Sequence, residues 1–512
     1  MPLNWVLSDP KSKKIIVEEK SFSEPKAPIF ESDSDKEEEK EVIVEEEKPA
    51  FHPINDYRAS RKMVHDLVHT NLDVRFEWAK AYLHGKAILT LKPHFYPSNR
   101  LELDAKGFEI REVALLSTNQ GKTAKTPLKY TYDGKMINIE LNKSYVKDEK
   151  YNIFIDYTAK PDELPKGGGS EAITEDKGLY FINKDGKDPN KPMQIWTQGE
   201  TEASSCWFPT IDAPNQKSTQ EIAMTVDKKY ITLSNGLMTS TKTNADGTRT
   251  DIWKQNKPHA PYLFMMAVGE FAIVKDKWRN IEVNYYVEPK YKDSAKDIFG
   301  FGKTPKMIEF FSKILKVDYP WDKYHQIIVR DYVSGAMENS SAVIFGEFAQ
   351  QTKRELLDLN HEDIVAHELF HHWFGDLVTC ESFSNLPLNE SFATYAPYLW
   401  FESEYGQDFM DHERYKSLQG YFQEAEETTK DLIRYFYKSR EDMFDAHSYN
   451  KGGGVLHMLR RYVGDDAFFT ALNLYLTQNK FGSAEIHDLR LAFEKVTGED
   501  LNWFFNQWFL QS

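Results

Sequence analysis

From about residue 60 this chain carries short runs in which apolar residues recur at every second position, and after residue 272 the period changes. In LDVRFEW, Leu72, Val74, Phe76 and Trp78 alternate with Asp73, Arg75 and Glu77. Ile137, Ile139 and Leu141 alternate in INIEL, as do Tyr151, Ile153, Ile155 and Tyr157 in YNIFIDY. A period of two sends successive side chains to opposite faces, so each run is a strand with one buried face. Asp-Gly pairs at 133–134, 185–186 and 246–247 supply turns between such runs. The segment reads as a mainly antiparallel β domain, a saddle-shaped sheet or a sandwich. After YLFMMAVGEF (262–271) a few strands, IEVNYYV and HQIIVRDYV among them, give way to helix-period sequence. DIVAHELFHHWFGDLV (363–378) reads as a helix, with Asn360 as N-cap and Asp363 at the third position. The expected class is α+β multidomain: a β domain at 57–272, then a mainly helical domain at 273–512.

Length agrees with two domains, since 512 residues exceed one ordinary core. Residues 1–56 stand apart. Within the first 50, eight Lys/Arg face fourteen Asp/Glu. Such a segment buries too little to offset ordering entropy, so 1–56 is expected to be an acidic disordered tail or linker. The formal charge of −16 argues against nucleic acid as a partner, because a phosphate backbone demands a positive field. No apolar run approaches about 18 residues, so no transmembrane segment is expected. The start, MPLNWVLSDPKSKK, lacks a positive region followed by an apolar one, so no signal peptide is read in this chain. Localisation stays open between cytoplasmic and exported, and oligomeric state is not legible. Cys206 and Cys380 allow one disulfide at most and do not fix the compartment. The aromatic-rich LNWFFNQWFLQS is expected either to dock on the helices before it or to be continued by further chain.

Residues 367–371 read HELFH. On a helix His367 and His371 are one turn apart and project from one face, which lets two imidazoles hold one zinc ion at about 2.0–2.1 Å. Glu368 lies about 100° round the helix from His367, beside such a metal rather than on it, as a general base must. Catalytic zinc takes three protein ligands plus water, so a third ligand is needed. Glu390 in PLNESFATY falls 19 residues after His371 and completes H-E-x-x-H-x18-E. His372 points away from that face and is expected to pack. Asp376 and Asn389 flank the ligands; each either orients one or is ordinary helix-surface polarity. Lys451 is expected to pair locally, and His361 and His447 have no motif support.

Three further segments narrow the reading. Residues 335–339 read GAMEN, just after HQIIVRDYV. SYNKGGGVLHML (448–459) puts Tyr449 before a glycine-rich helix start, and TQGETEASSCWFPTIDAP spans 197–214. With H-E-x-x-H-x18-E, these segments make the chain resemble the M1 family of zinc aminopeptidases, the gluzincins, over about residues 60–512. The resemblance implies a saddle-like β domain followed by a thermolysin-like catalytic domain. It also implies one catalytic zinc ion and, as substrates, peptides with a free N-terminal amine. By position it makes His367, His371 and Glu390 the zinc ligands, Glu368 the general base and Tyr449 the donor to the tetrahedral oxyanion. Glu338 and Glu200 would grip the free α-amino group, and Gly335, Ala336, Met337, Glu338 and Asn339 would line the bound peptide like an extra strand. Against the family pattern, Pro387 stands where Trp is frequent and Ser391 where Gly is frequent. SSAV follows GAMEN where Trp-Gly is common, and Ser205 stands where Arg is common. The helical C-terminal domain that the family implies is expected to find no counterpart in residues 1–512. An epoxide-opening relative on the same scaffold is one alternative. A zinc- or peptide-binding module, inactive without that domain, is the other.

Overall fold

The period-two runs are strands; His65–Glu77 and Met136–Tyr145 bury one face, whereas Tyr151–Ala159 also buries Phe154 and Thr158 on the other. Leu72 and Val74 are fully buried in His65–Glu77, Ile137 in Met136–Tyr145, and Ile153 and Ile155 in Tyr151–Ala159. Each such aliphatic side chain contributes about 1.5–3 kcal/mol by leaving water. The computed structural model describes residues 57–58, 60–119, 122–165, 169–170 and 172–511. The expected acidic tail at 1–56 lies outside the described residues.

Eight strands form the largest sheet, ordered Leu237–Thr243, Thr248–His259, Ser218–Asp227, His65–Glu77, Tyr82–Pro93, Tyr151–Ala159, Phe108–Asn119 and Lys122–Pro127. One neighbouring pair in it, His65–Glu77 with Ser218–Asp227, is parallel; the rest are antiparallel. Asp133-Gly134 and Asp246-Gly247 turn two hairpins as expected, while Asp185-Gly186 sits in a longer loop. A four-stranded sheet carries Gln194–Thr197 between Met266–Gly269 and Leu179–Ile182. All four residues of that strand are buried, so the loop that follows it, residues 198–203, leaves from a fixed base.

The next sheet has helices on one face and the β domain on the other. Its core strands, Ile281–Val287, Lys323–Val329 and Ala342–Gly346, run parallel. Tyr324, Ile328, Val343 and Phe345 pack into the helical core, whereas Ile327, Val329, Ala342 and Ile344 pack into the β-domain core. Parallel strands covered on both faces read as continuous apolar runs, which is how HQIIV arises. Ala336–Met337 is the last strand of this sheet and pairs antiparallel with Ile344–Phe345.

The helical part includes Thr304–Leu315, Glu362–Phe370, Pro387–Tyr405, Gln407–Ala425, Gly452–Val463, Asp465–Gln478 and Ile486–Thr497. The aromatic segment near 502–510 docks: Phe504, Phe505 and Phe509 are buried in the helical core, and the Ile433 N–H donates to the Phe509 carbonyl (2.8 Å). Cys206 and Cys380 are both free thiols, each buried. Among the described residues no helix is long and apolar enough to cross a membrane.

Candidate active site

Helix Glu362–Phe370 presents His367, and His371 caps its end. The helix is shorter than the expected 363–378. The stretch WFGDLV looked helical because Trp373, Phe374, Leu377 and Val378 are all buried, and uniform burial erases the period. Two features stop the helix. Gly375 has φ +134°, a conformation that L side chains rarely adopt. The His371 Nδ1–H donates to the Phe374 carbonyl (3.0 Å), which directs Nε2 toward His367 and Glu390. At the other end the helix begins at Glu362 and its N-cap is His361, which makes no side-chain cap bond; Asn360, the expected cap, lies one residue earlier, where its Oδ1 accepts from the Glu362 N–H (3.1 Å), and Asp363 returns no bond.

The chain then folds back, and Pro387 opens the helix Pro387–Tyr405, where its missing N–H costs nothing. Phe392 stacks on Phe374 with ring centroids 4.1 Å apart, which locks the two ligand-bearing segments together. His367 Nε2 and His371 Nε2 lie 3.1 Å apart, and Glu390 Oε2 lies 3.3 and 3.4 Å from them. Three donors held at 2.0–2.1 Å round one tetrahedral centre stand about 3.4 Å apart, so this triad fits zinc.

Charge makes the same point. Glu200, Glu338 and Glu390 bring carboxylate oxygens within 4.8 Å of one another, all three buried. Glu200 Oε1, Glu338 Oε1, Glu368 Oε2 and Glu390 Oε2 are buried without a hydrogen-bond partner among the described residues. Burial, then repulsion from Glu338 and Glu390, pushes the Glu200 carboxyl well above its ordinary value. Burial likewise lifts Glu338 to about 7, with Glu390 adding to it against the pull of His371. Burial is also the main cause that raises Glu368. Glu390 goes the other way: burial opposes its charge, yet the two imidazoles hold it down at about 2. A pocket with this excess of carboxylate calls for cations.

The two glutamates above the triad come from different domains. Glu200 lies in the turn after Gln194–Thr197, and Glu338 follows the edge strand Ala336–Met337. Gln198 joins the two segments: its Nε2 donates to Met337 Sδ (3.2 Å), and its Oε1 accepts from the Tyr332 hydroxyl. The Gly335 carbonyl accepts from the Gly346 N–H (3.0 Å), and Asn339 is fully buried. Tyr449 lies in a π-helical turn, His447–Lys451, rather than in a loop. Its ring is nearly parallel to that of His367, 8° between planes and 6.1 Å between centroids. A cleft of about 580 Å³ opens beside His367, Glu368 and Tyr449, bounded by Ala336, Asp363 and Pro397. Glu200, Gly335, Ala336, Glu338, Glu368 and Tyr449 thus line the cleft or the space beside the triad, whereas Met337 and Asn339 line neither and are buried.

The flanking residues divide differently from expectation. His372 packs as expected: Nδ1–H donates to the Glu368 carbonyl (3.1 Å) and Nε2 accepts from the Ser341 N–H (3.0 Å), so it pins the GAMEN loop to the metal helix. Asp376 does not orient His371; its carboxylate lies 3.8 Å from His372. Asn389 bonds the Cys380 N–H and Tyr262 instead of a ligand. Lys451 donates to the Lys430 carbonyl (3.3 Å) rather than to an acid. The Phe374 carbonyl and Gln198 escaped the sequence reading, the first because a backbone acceptor has no side-chain signature.

Two family models match in order: the Peptidase M1 N-terminal domain over residues 66–263 and the Peptidase family M1 domain over residues 299–508. The chain belongs to peptidase family M1. M1 membership fits a β-rich N-terminal domain followed by a helical catalytic domain. Among curated proteins, the chain is 29% identical over 417 residues to "Probable aminopeptidase 1" of Saccharolobus solfataricus, covering 80% of this chain and 49% of that one. It is 30% identical over 345 residues to Tricorn protease-interacting factor F2 of Thermoplasma acidophilum, covering 65% and 42%. The chain thus spans about half the length of the curated relatives it matches. Its fold is similar to that of an M1 zinc metallopeptidase from Deinococcus radiodurans, solved as a mutant bound to a Tyr-Ser-Ala substrate. The TM-score is 0.70 at 20% identity, over 88% of this chain and 95% of that one.

The M1 departures at 341 and 391 acquire physical meaning here. Ser341 has φ +67°, where the frequent glycine is at ease. The position is held by the Gly236 N–H donating to Ser341 Oγ (2.9 Å) and by Lys323 Nζ donating to its carbonyl (3.1 Å). Ser391 fills the space against Gly452, where an added Cβ would stand 1.9 Å from Ser391 Oγ. Gly452→Ala is therefore expected to destabilise the protein by about 2 kcal/mol through overpacking. A lower urea midpoint at unchanged slope is the readout.

Proposed function

We propose that this chain is a zinc-dependent aminopeptidase that hydrolyses the first peptide bond of substrates with a free N-terminal amine. One observation carries the reading: unpartnered Glu200 and Glu338 converge on the third member of the His367–His371–Glu390 triad. A metal triad alone suits any hydrolase. Two buried carboxylates beside it have no use in a protease that cuts within chains, but they match one ammonium group.

His367, His371 and Glu390 would hold the zinc ion. The chemistry such an ion supplies is Lewis acidity, which polarises the scissile carbonyl and acidifies the attacking water. Glu338 and Glu200 bind the substrate ammonium and so fix which carbonyl is presented. Glu368, adjacent to His367 and free at Oε2, takes the proton from the attacking water and passes it to the departing amine. Tyr449 donates its hydroxyl hydrogen to the carbonyl oxygen as negative charge builds there. The free edge of the strand Ala336–Met337, beside exposed Gly335, gives the peptide backbone a strand to pair with, and the 580 Å³ cleft receives the departing peptide.

The test is hydrolysis of amino-acid arylamides by the full chain, with metal content measured on the same sample. Stoichiometric zinc and turnover are expected. Dialysis against a chelator is expected to abolish turnover and added zinc to restore it. Stoichiometric zinc without hydrolysis of any free-amine peptide would show a binding module instead.

A further inference from the structure

Ser391 follows the ligand Glu390 in the same helix and is fully buried. Its hydroxyl donates to the carbonyl of Ser448 (2.7 Å), the residue before Tyr449. With Gly452 so close, that hydroxyl is confined between the two helices. Ser448 is tethered at its other groups as well. Its N–H donates to Asp445 Oδ1 (2.9 Å) and its Oγ accepts from Arg434 (2.9 Å). Arg434 in turn grips Asp445 with two N–H groups (2.6 and 3.1 Å). The Tyr449 ring has looser neighbours: His367 at 6.1 Å and Phe444 at 6.5 Å between centroids, and no hydrogen bond to its hydroxyl among the described residues. The aim of that hydroxyl is thus set by the backbone of its turn, and π-helical turns recur where a side chain must be aimed.

We propose that Ser391 is a positioning residue for Tyr449, tying the turn that carries the tyrosine to the helix that carries the third metal ligand. It touches no substrate and acts through the Ser448 carbonyl. The proposal rests on the functional reading above for what Tyr449 does, but the tie itself is a property of the fold.

The test is Ser391→Ala in two backgrounds, wild type and Tyr449→Phe, with zinc content checked in all four proteins. A misplacement of about 1 Å costs up to about 10²-fold in rate, so kcat is expected to fall roughly tenfold in the wild-type background with KM unchanged. In the Tyr449→Phe background no further fall is expected. An equal fall in both backgrounds, or none in the wild type, overturns the proposal. A second readout needs no turnover. In protein labelled with [13Cζ]tyrosine, the Tyr449 resonance is identified by its absence from the Tyr449→Phe variant. Ser391→Ala is expected to shift or broaden that resonance while the other tyrosine resonances hold. An unmoved Tyr449 resonance overturns the tie. A wild-type chain that cleaves no free-amine substrate overturns the functional reading alone, and the resonance still decides the tie.

Discussion

Glu368→Gln is expected to lower kcat about a thousandfold while the metal stays bound, since positioned proton transfer contributes about 10²–10⁴-fold. The side chain is 6% exposed and its Oε2 has no partner among the described residues, so glutamine fits the same space. What keeps the helix in place at this residue is its backbone, through His372 Nδ1–H to the Glu368 carbonyl, and the substitution spares that bond. The triad belongs to His367, His371 and Glu390 and is untouched. Loss of kcat at constant zinc and constant thermal midpoint is the expected result. Full turnover in the variant would remove Glu368 from the mechanism.

N-acetylated arylamides are expected to be cleaved about 10⁴-fold less efficiently in kcat/KM than the free-amine forms, because the missing ammonium leaves buried acceptors unpaired. Glu200 is 4% and Glu338 3% exposed, and each has an oxygen without a partner among the described residues. Acetylation removes the charge and adds bulk where the two meet. Glu338→Gln and Glu200→Gln should each raise KM for the free amine roughly tenfold or more, the worth of one charge-assisted hydrogen bond being about 1.5–3 kcal/mol. Hydrolysis of the acetylated substrate should change far less, so the ratio narrows. Equal cleavage of free and acetylated substrates by the wild type would exclude an aminopeptidase.

Much of this site was legible because its residues sit in regular elements. His367 and His371 are four apart on a helix, so spacing alone put them on one face. Glu390 was found because three ligands are the rule for catalytic zinc. Strands such as Met136–Tyr145 showed their buried faces through alternation. The end of the metal helix at Phe370 was missed because the residues after it are buried on every side, and its one breaker, Gly375, is a single residue. The part played by Ser391 was hidden as well. A serine after a ligand looks like a neutral change from glycine until the Ser448 carbonyl and Gly452 are seen against it. Contacts between distant segments leave no local trace in sequence.

Glu200 belongs to the β domain, whereas the triad, Glu368 and Tyr449 all belong to the helical one. The two parts are pinned where it matters: Lys217 donates to the carbonyls of Asp376 and Leu377 just past the metal helix (2.9 and 3.1 Å), and Trp196 Nε1 donates to the Arg330 carbonyl (2.9 Å). On the proposed function, the β domain supplies one of the two ammonium-binding glutamates, Glu200, and the helical domain supplies the other, Glu338, together with the hydrolytic residues. A change at this seam that moved Glu200 by a fraction of an ångström would leave the hydrolytic parts intact while loosening the choice of chain ends. On the proposed function, the β domain would act as a gauge, measuring each substrate against a cutter it does not itself contain.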